Sequence, residues 1–234
     1  MLHVRQEKDD LEFLNAADED INKIWIPYFD LERDYKKINS EIIKADPRLE
    51  EIIDKYAGIR ILDQDFTETL ISFIISQNKN ITHIKQLIRD LSVCHGEYIG
   101  TFNGRKYYSF PSLSELEKIS EEEFRNLKMG FRAPYLCDAV SRLSSGEITE
   151  KMLKGMTYEE AKEKLKDIKG VGDKVANCVL LFSLGFRSAF PVDIWIKRVL
   201  EKMYGTDADT APAIFGQYGG YAQQYLFMYA RENL

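Results

Sequence analysis

Apolar residues recur along most of this chain at the three- and four-residue spacing of an amphipathic helix. Between Thr67 and Gln77 they fall at Leu70, Ile71, Ile74 and Ile75, on one helix face. Asn80 stands as a cap before Ile81–Leu91, where Ile81, Ile84, Leu87, Ile88 and Leu91 keep the period. Pro111-Ser112 opens a short helix with Leu113 and Leu116, and Ser120 with the three glutamates after it makes a capping box. Further helices are predicted over Ala133–Leu143, Thr157–Leu165, Val171–Leu184, Ile194–Met203 and Gly220–Arg231. From Asp18 onward the pattern is almost entirely helical. Only the front differs: Leu2, Val4, Leu11 and Phe13 alternate with polar residues around Glu7-Lys8-Asp9-Asp10, as two strands and a turn would. A lone hairpin is marginal in water, so this one calls for partners that the chain does not contain. Residues 1–17 are therefore expected to be remnant strands of a truncated N-terminal β-rich domain, with an extended tail on a helical body as the alternative. The predicted architecture is mainly α, with a helical core over residues 18–234.

Composition narrows the class. No apolar run approaches the ~18–20 residues of a membrane span, no signal-peptide pattern opens the chain, and no membrane partner is expected. Cys94, Cys137 and Cys178 are dispersed and form no CxxC pair, so neither a disulfide framework nor a zinc or iron–sulfur site is readable. A soluble, monomeric, intracellular protein is expected, cytoplasmic or nucleoid-associated if bacterial, with no cofactor. With 38 acidic against 32 basic residues, the net charge of −6 argues against a nucleic-acid binder. That average hides a local reversal. Between Lys164 and Lys202 stand eight basic and four acidic residues, while the acidic excess lies in Glu7–Glu19 and Glu115–Glu123.

The basic segment also carries the candidate chemistry. A helix ends near Leu165, Gly170-Val171-Gly172 makes a tight turn, and an apolar helix begins at once. Two glycines let backbone N–H groups approach an anion, and a helix N-terminus adds its positive dipole end. Such a turn suits a DNA phosphate through Lys169, Gly170 and Gly172, although G-x-G alone also describes a plain helix connection. Lys174 falls in the first turn of the second helix, where the dipole disfavours a cation, which suits a nucleophilic amine. Cys178 comes one turn later on the same face. Farther on, in Phe190-Pro191-Val192-Asp193-Ile194-Trp195, Asp193 is placed to cap a helix with an ionised carboxylate. A lysine and an aspartate converging on one sugar carbon could displace a glycosidic leaving group.

The run Gly170-Val171-Gly172-Asp173-Lys174 followed by Pro191-Val192-Asp193 resembles the helix-hairpin-helix-GPD superfamily of DNA glycosylases, most nearly the bifunctional 8-oxoguanine glycosylases. Tyr28-Phe29-Asp30-Leu31 and Ile61-Leu62-Asp63-Gln64-Asp65 look like the entry to the family's helical core. Ser76-Gln77-Asn78-Lys79-Asn80-Ile81 looks like its Asn-rich loop and Met129-Gly130-Phe131-Arg132-Ala133 like its wedge loop. Tyr218-Gly219-Gly220-Tyr221-Ala222-Gln223, continuing to Leu226-Phe227, looks like its base-recognition helix. The resemblance implies a two-lobed HhH-GPD fold, with the helix-hairpin-helix at about 157–185, and damaged double-stranded DNA as partner. By it, Lys174 would attack C1′ and form a Schiff base, with lyase cleavage following, and Asp193 would stabilise the sugar's positive charge. Cys178 and Phe227 would sandwich the flipped base and Gln223 would read its Watson–Crick edge. Asn78 would bind the orphaned cytosine, Phe131 would wedge into the gap and Arg132 would support that strand.

The chain also departs from the family. His83 stands where animal members carry a second arginine for the opposite cytosine. Trp195 replaces a common histidine, whose acidic partner is Ala230 here. The family's contact to the N7–H of 8-oxoguanine belongs to the N-terminal domain. Main-chain oxygens of Lys166, Ile168 and Val171 could hold an ion, although lysine catalysis requires no metal. The alternatives are a related glycosylase for another damaged base, and a non-catalytic module that only grips DNA phosphates.

Overall fold

In a computed structural model the chain is described for residues 2–7, 10–205 and 209–234. The front hairpin forms: β1 (Val4–Glu7) pairs antiparallel with β2 (Asp10–Phe13), Val4 opposite Phe13 and Glu7 opposite Asp10. Its expected turn at Lys8-Asp9 lies outside the described residues. Among the described residues no third strand joins this hairpin, although two ring contacts tie it to the rest of the chain. Phe13 meets Phe29 at 6.0 Å between ring centroids, and His3 meets Phe102 at 5.7 Å. Both partners lie far along the chain, so local alternation could not reveal them.

Among the described residues beyond the front hairpin the chain is helical, as its periodicity predicts, except for a second hairpin. Residues Tyr98–Phe102 (β3) and Arg105–Tyr108 (β4) form it as an antiparallel pair. Its loop is Asn103-Gly104, with φ of 50° and 74°, the left-handed pair that a two-residue hairpin turn requires. Near the front, Ile21–Trp25 is a wider π-helical turn within the helical run from Asp18 to Tyr28. It falls just before Pro27, which has no N–H to offer the carbonyl of Lys23 in an α ladder.

The caps predicted at Asn80 and Ser120 form, and two more capping boxes appear at Ser112 and Thr157. Asn80 accepts from His83 N at 2.9 Å and starts the helix Ile81–His95. Capping boxes at Ser112, Ser120 and Thr157 start the helices Leu113–Leu116, Glu121–Asn126 and Tyr158–Lys166. The helix Asp173–Ser183 is the axis of the molecule. Val175, Ala176, Asn177, Cys178, Val179, Leu180, Leu181 and Ser183 are all buried, so it is covered on every side, as an apolar helix must be. The helix Phe66–Ser76 packs along one flank and Tyr158–Lys166 along another. Gly219–Asn233 packs against Ile194–Tyr204. The N-terminal end of the axial helix opens toward solvent, with Asp173 exposed and Lys174 partly so. Among the described residues no helix is long and apolar enough to cross a membrane.

Candidate active site

The two glycines of the tight turn serve different purposes. Gly170 has φ +77°, and a Cβ there would lie 2.2 Å from Cδ2 of Tyr135, so both its backbone and its space demand glycine. Gly172 has φ −103° and is the N-cap of the axial helix, and a Cβ there would meet nothing within 4 Å. Its empty front leaves backbone N–H groups open to an anion. The turn closes through Val171 N on Ile168 O at 3.0 Å, which leaves that oxygen one lone pair for an ion. Among the described residues no three His, Cys, Asp or Glu side chains gather as a metal site.

Beside this turn lies a cleft of about 1290 Å³. Lys174, Cys178, Asp193, Gln223 and Phe227, which come from three separate helices and their caps, all line it. Lys174 places Nζ 4.9 Å from the ring centroid of Phe73, which forms an aromatic floor beneath the amine near the helix end. Asp193 caps Ile194–Tyr204 by accepting from Trp195 N at 3.0 Å and Ile196 N at 2.9 Å, both on Oδ1. Capping and chemistry are therefore compatible, because the cap uses one carboxylate oxygen and leaves the other to the cleft. Cys178 is 3% exposed. Burial pushes its thiol up to about 11; Lys174 opposes that shift and Asp193 adds to it, so the three groups act on one another. The thiol stays protonated and offers a soft, uncharged wall. Phe227 is half-buried, and the Arg231 guanidinium lies 5.9 Å from its ring centroid. Trp195 also lines the cleft, with the Arg198 guanidinium 5.4 Å from its ring.

A second group of expected residues sits around the rim. Asn78 is exposed, with φ 52°, and lines the cleft. Phe131 stands 50% exposed on the turn Gly130–Arg132, braced by the Tyr135 ring at 6.0 Å and the Arg132 guanidinium at 4.3 Å. Arg132 itself is buried, 2% exposed, with Nε donating to Gln77 O at 2.9 Å. In this structure it fixes the Asn78 loop instead of reaching outward. His83 is half-buried in the first turn of its helix and does not line the cleft. Lys169 lies on the outer face of the turn, its N–H bonded to Asp138 Oδ2 at 2.9 Å. The local positive balance is partly paired: Lys162 and Lys166 reach Asp173 at 3.2 and 3.3 Å, and Lys164 reaches Asp167 at 3.0 Å. Surface pairs of this kind are weak.

Known proteins share both this sequence and this geometry. The sequence family described as 8-oxoguanine DNA glycosylase, N-terminal domain, matches residues 1–70. An N-glycosylase/DNA lyase of Arabidopsis thaliana is 35% identical over 207 residues, 81% of this chain and 56% of that protein. The Saccharomyces cerevisiae N-glycosylase/DNA lyase is 33% identical over 225 residues, 89% of this chain and 59% of its own. The chain thus spans a little over half the length of these curated relatives. The Clostridium acetobutylicum 8-oxoguanine glycosylase/lyase, solved with duplex DNA carrying cytosine opposite 8-oxoguanine, superposes with a TM-score of 0.93 at 40% identity. That match takes in 99% of this chain and 82% of the other. The chain belongs to the 8-oxoguanine DNA glycosylase family.

Within this 8-oxoguanine glycosylase fold, several residues that shape the cleft carry no signal in the sequence. Phe73 lies off the apolar face formed by Leu70, Ile71, Ile74 and Ile75, and only the packed axial helix puts it beneath Lys174. Gln77 donates Nε2 to Gly170 O at 3.0 Å while its own carbonyl receives Arg132, so one residue ties the Asn78 loop, the turn Gly130–Arg132 and the glycine turn together. Tyr135 and Asp138 hold the turn from the helix Ala133–Ser144. Gln224 lines the cleft beside Gln223.

Proposed function

We propose that this chain excises 8-oxoguanine from damaged duplex DNA and then cleaves the strand by lyase chemistry. The observation that carries the reading is the convergence of Lys174, Asp193, Cys178, Gln223 and Phe227 on one cleft beside an open helix N-terminus. In this reading the glycine turn and the axial helix end grip the backbone. Phe131 fills the vacated stack, and the flipped base enters between Cys178 and Phe227. Nζ of Lys174 attacks C1′ as the N-glycosidic bond breaks, and the leaving base takes up a proton released by the amine. The fixed carboxylate of Asp193 stabilises positive charge developing on the sugar. Ring opening gives an imine between Nζ and C1′; loss of a C2′ proton then expels the 3′ phosphate, and water releases the lysine. Asn78 and His83 would face the opposite cytosine, and Arg132 would act through the loop it holds. We read residues 1–17 as a separate β unit ahead of the helical core 18–234, and the partner as DNA bound by a single chain.

The test is borohydride trapping on a duplex with one 8-oxoguanine. A covalent protein–DNA adduct is expected from the unaltered chain. Lys174→Gln should lose it while still binding the lesion duplex. No adduct and no released base from the unaltered chain would end the proposal.

A further inference from the structure

The base-reading amide of Gln223 is held at both ends by partners of opposite kind. Gln223 is 4% exposed on the helix Gly219–Asn233. Its Nε2 donates to Pro191 O at 3.0 Å, and its Oε1 accepts from Gln224 Nε2 at 2.6 Å. The terminal torsion of a glutamine is broad and two-fold, so a lone glutamine would present donor and acceptor in either order. A backbone carbonyl can only accept, which fixes where the nitrogen points. An amide N–H can only donate, which fixes the oxygen. One hydrogen on Nε2 and one lone pair on Oε1 remain uncommitted. Gln224 is half-buried and lines the cleft, close enough to impose this order without occupying the floor where Lys174 lies.

We infer that Gln224 is a positioning residue for base recognition, locking the Gln223 amide so that its donor and acceptor meet the flipped base in one fixed order. The inference rests on the glycosylase reading. It predicts a split between the two half-reactions. Base excision needs the amide, whereas strand cleavage at a preformed abasic site has no base to read.

The experiment measures single-turnover rates of the full chain on an 8-oxoguanine duplex and on the same duplex with a preformed abasic site. Gln224→Met removes the donor at similar length, Gln224→Glu sets an acceptor against an acceptor, and Gln224→Lys restores a donor. Loss of one neutral hydrogen bond should lower the ratio of excision to abasic cleavage about three- to tenfold in Gln224→Met. Gln224→Glu should fall further, and Gln224→Lys should stay near the unaltered chain. Taking the ratio cancels any change in attraction to the DNA backbone, and abasic cleavage reports that each variant is folded. A ratio within about twofold of the unaltered chain in both Gln224→Met and Gln224→Glu overturns the inference. So does a Gln224→Lys variant as impaired as Gln224→Met. An unaltered chain that excises no 8-oxoguanine overturns the substrate reading and the inference together, which separates that failure from the others.

Discussion

Replacing each glycine of the tight turn by alanine should produce opposite defects. At Gly170 the backbone has φ +77°, where a Cβ costs roughly 1–2 kcal/mol. That Cβ would also stand 2.2 Å from Cδ2 and 2.6 Å from Cγ of Tyr135, inside the 3.0 Å that Cβ atoms essentially never breach. Pushing Tyr135 aside is an overpacking cost of about 1–3 kcal/mol, and it disturbs the ring against Phe131. The sum, about 2–5 kcal/mol, should lower the melting temperature by on the order of 10 °C in a chain of this size. At Gly172 the backbone is extended and the space is open. There the loss of a glycine N-cap, up to about 1 kcal/mol, is offset by about 0.4–1 kcal/mol from a less flexible unfolded chain. Gly172→Ala should therefore melt close to the unaltered protein. Its methyl group would instead meet the approaching phosphate, weakening binding to a duplex with an uncleavable abasic analogue about tenfold, or 1.4 kcal/mol. Calorimetry and equilibrium binding on both variants decide the matter. A Gly170→Ala chain as stable as the parent, or a Gly172→Ala chain as unstable as Gly170→Ala, would refute this division of labour.

Two further outcomes concern a buried carboxylate and a buried thiol. Burial alone would raise the carboxyl of Asp46, but hydrogen bonds from Arg48 and Tyr204 outweigh it and hold the group below its ordinary range. A depressed carboxylate contributes stability above its unfolded value of about 3.9 and loses it as pH falls through the lower folded value. Asp46→Asn should thus cost about 1–2 kcal/mol at pH 7, since Arg48 is half-exposed, and the gap should close in denaturation curves taken below about pH 4. A gap that persists in acid would exclude this account. Iodoacetamide at pH 8 should modify exposed Cys94 and spare Cys178, whose thiol is buried and pushed up to about 11; mass spectrometry showing equal labelling would contradict a buried thiol wall in the cleft.

Much of the site is legible along the chain because its parts are local. Asp193 caps Ile194–Tyr204, Asn80 caps Ile81–His95, and Gly170 to Lys174 are a turn and the first residues of one helix. Hydrogen bonds spanning two or three residues leave a short-range pattern of residue types, and helical period follows from the same local geometry. The hairpin of β3 and β4 has a local mark too, in Asn103-Gly104, but its flanking residues are largely exposed and lack the alternation of a half-buried strand.

Long-range packing settles the rest. Arg132 in sequence is an arginine beside a loop-tip phenylalanine, and folding buries it on a carbonyl that lies 55 residues away. Phe73 becomes the floor under Lys174 only because the helix Phe66–Ser76 packs along the axial helix. The order of donor and acceptor on Gln223 depends on Pro191, 32 residues earlier, and no spacing rule relates the two. Residue order alone dictates most of the helices and their caps, because each follows from neighbours a few residues apart, and it marks Lys174 and Asp193 as candidates by their places at helix starts. Which face of each residue meets the cleft is a matter of folding, since contacts across tens of residues follow from how the helices pack and not from their period.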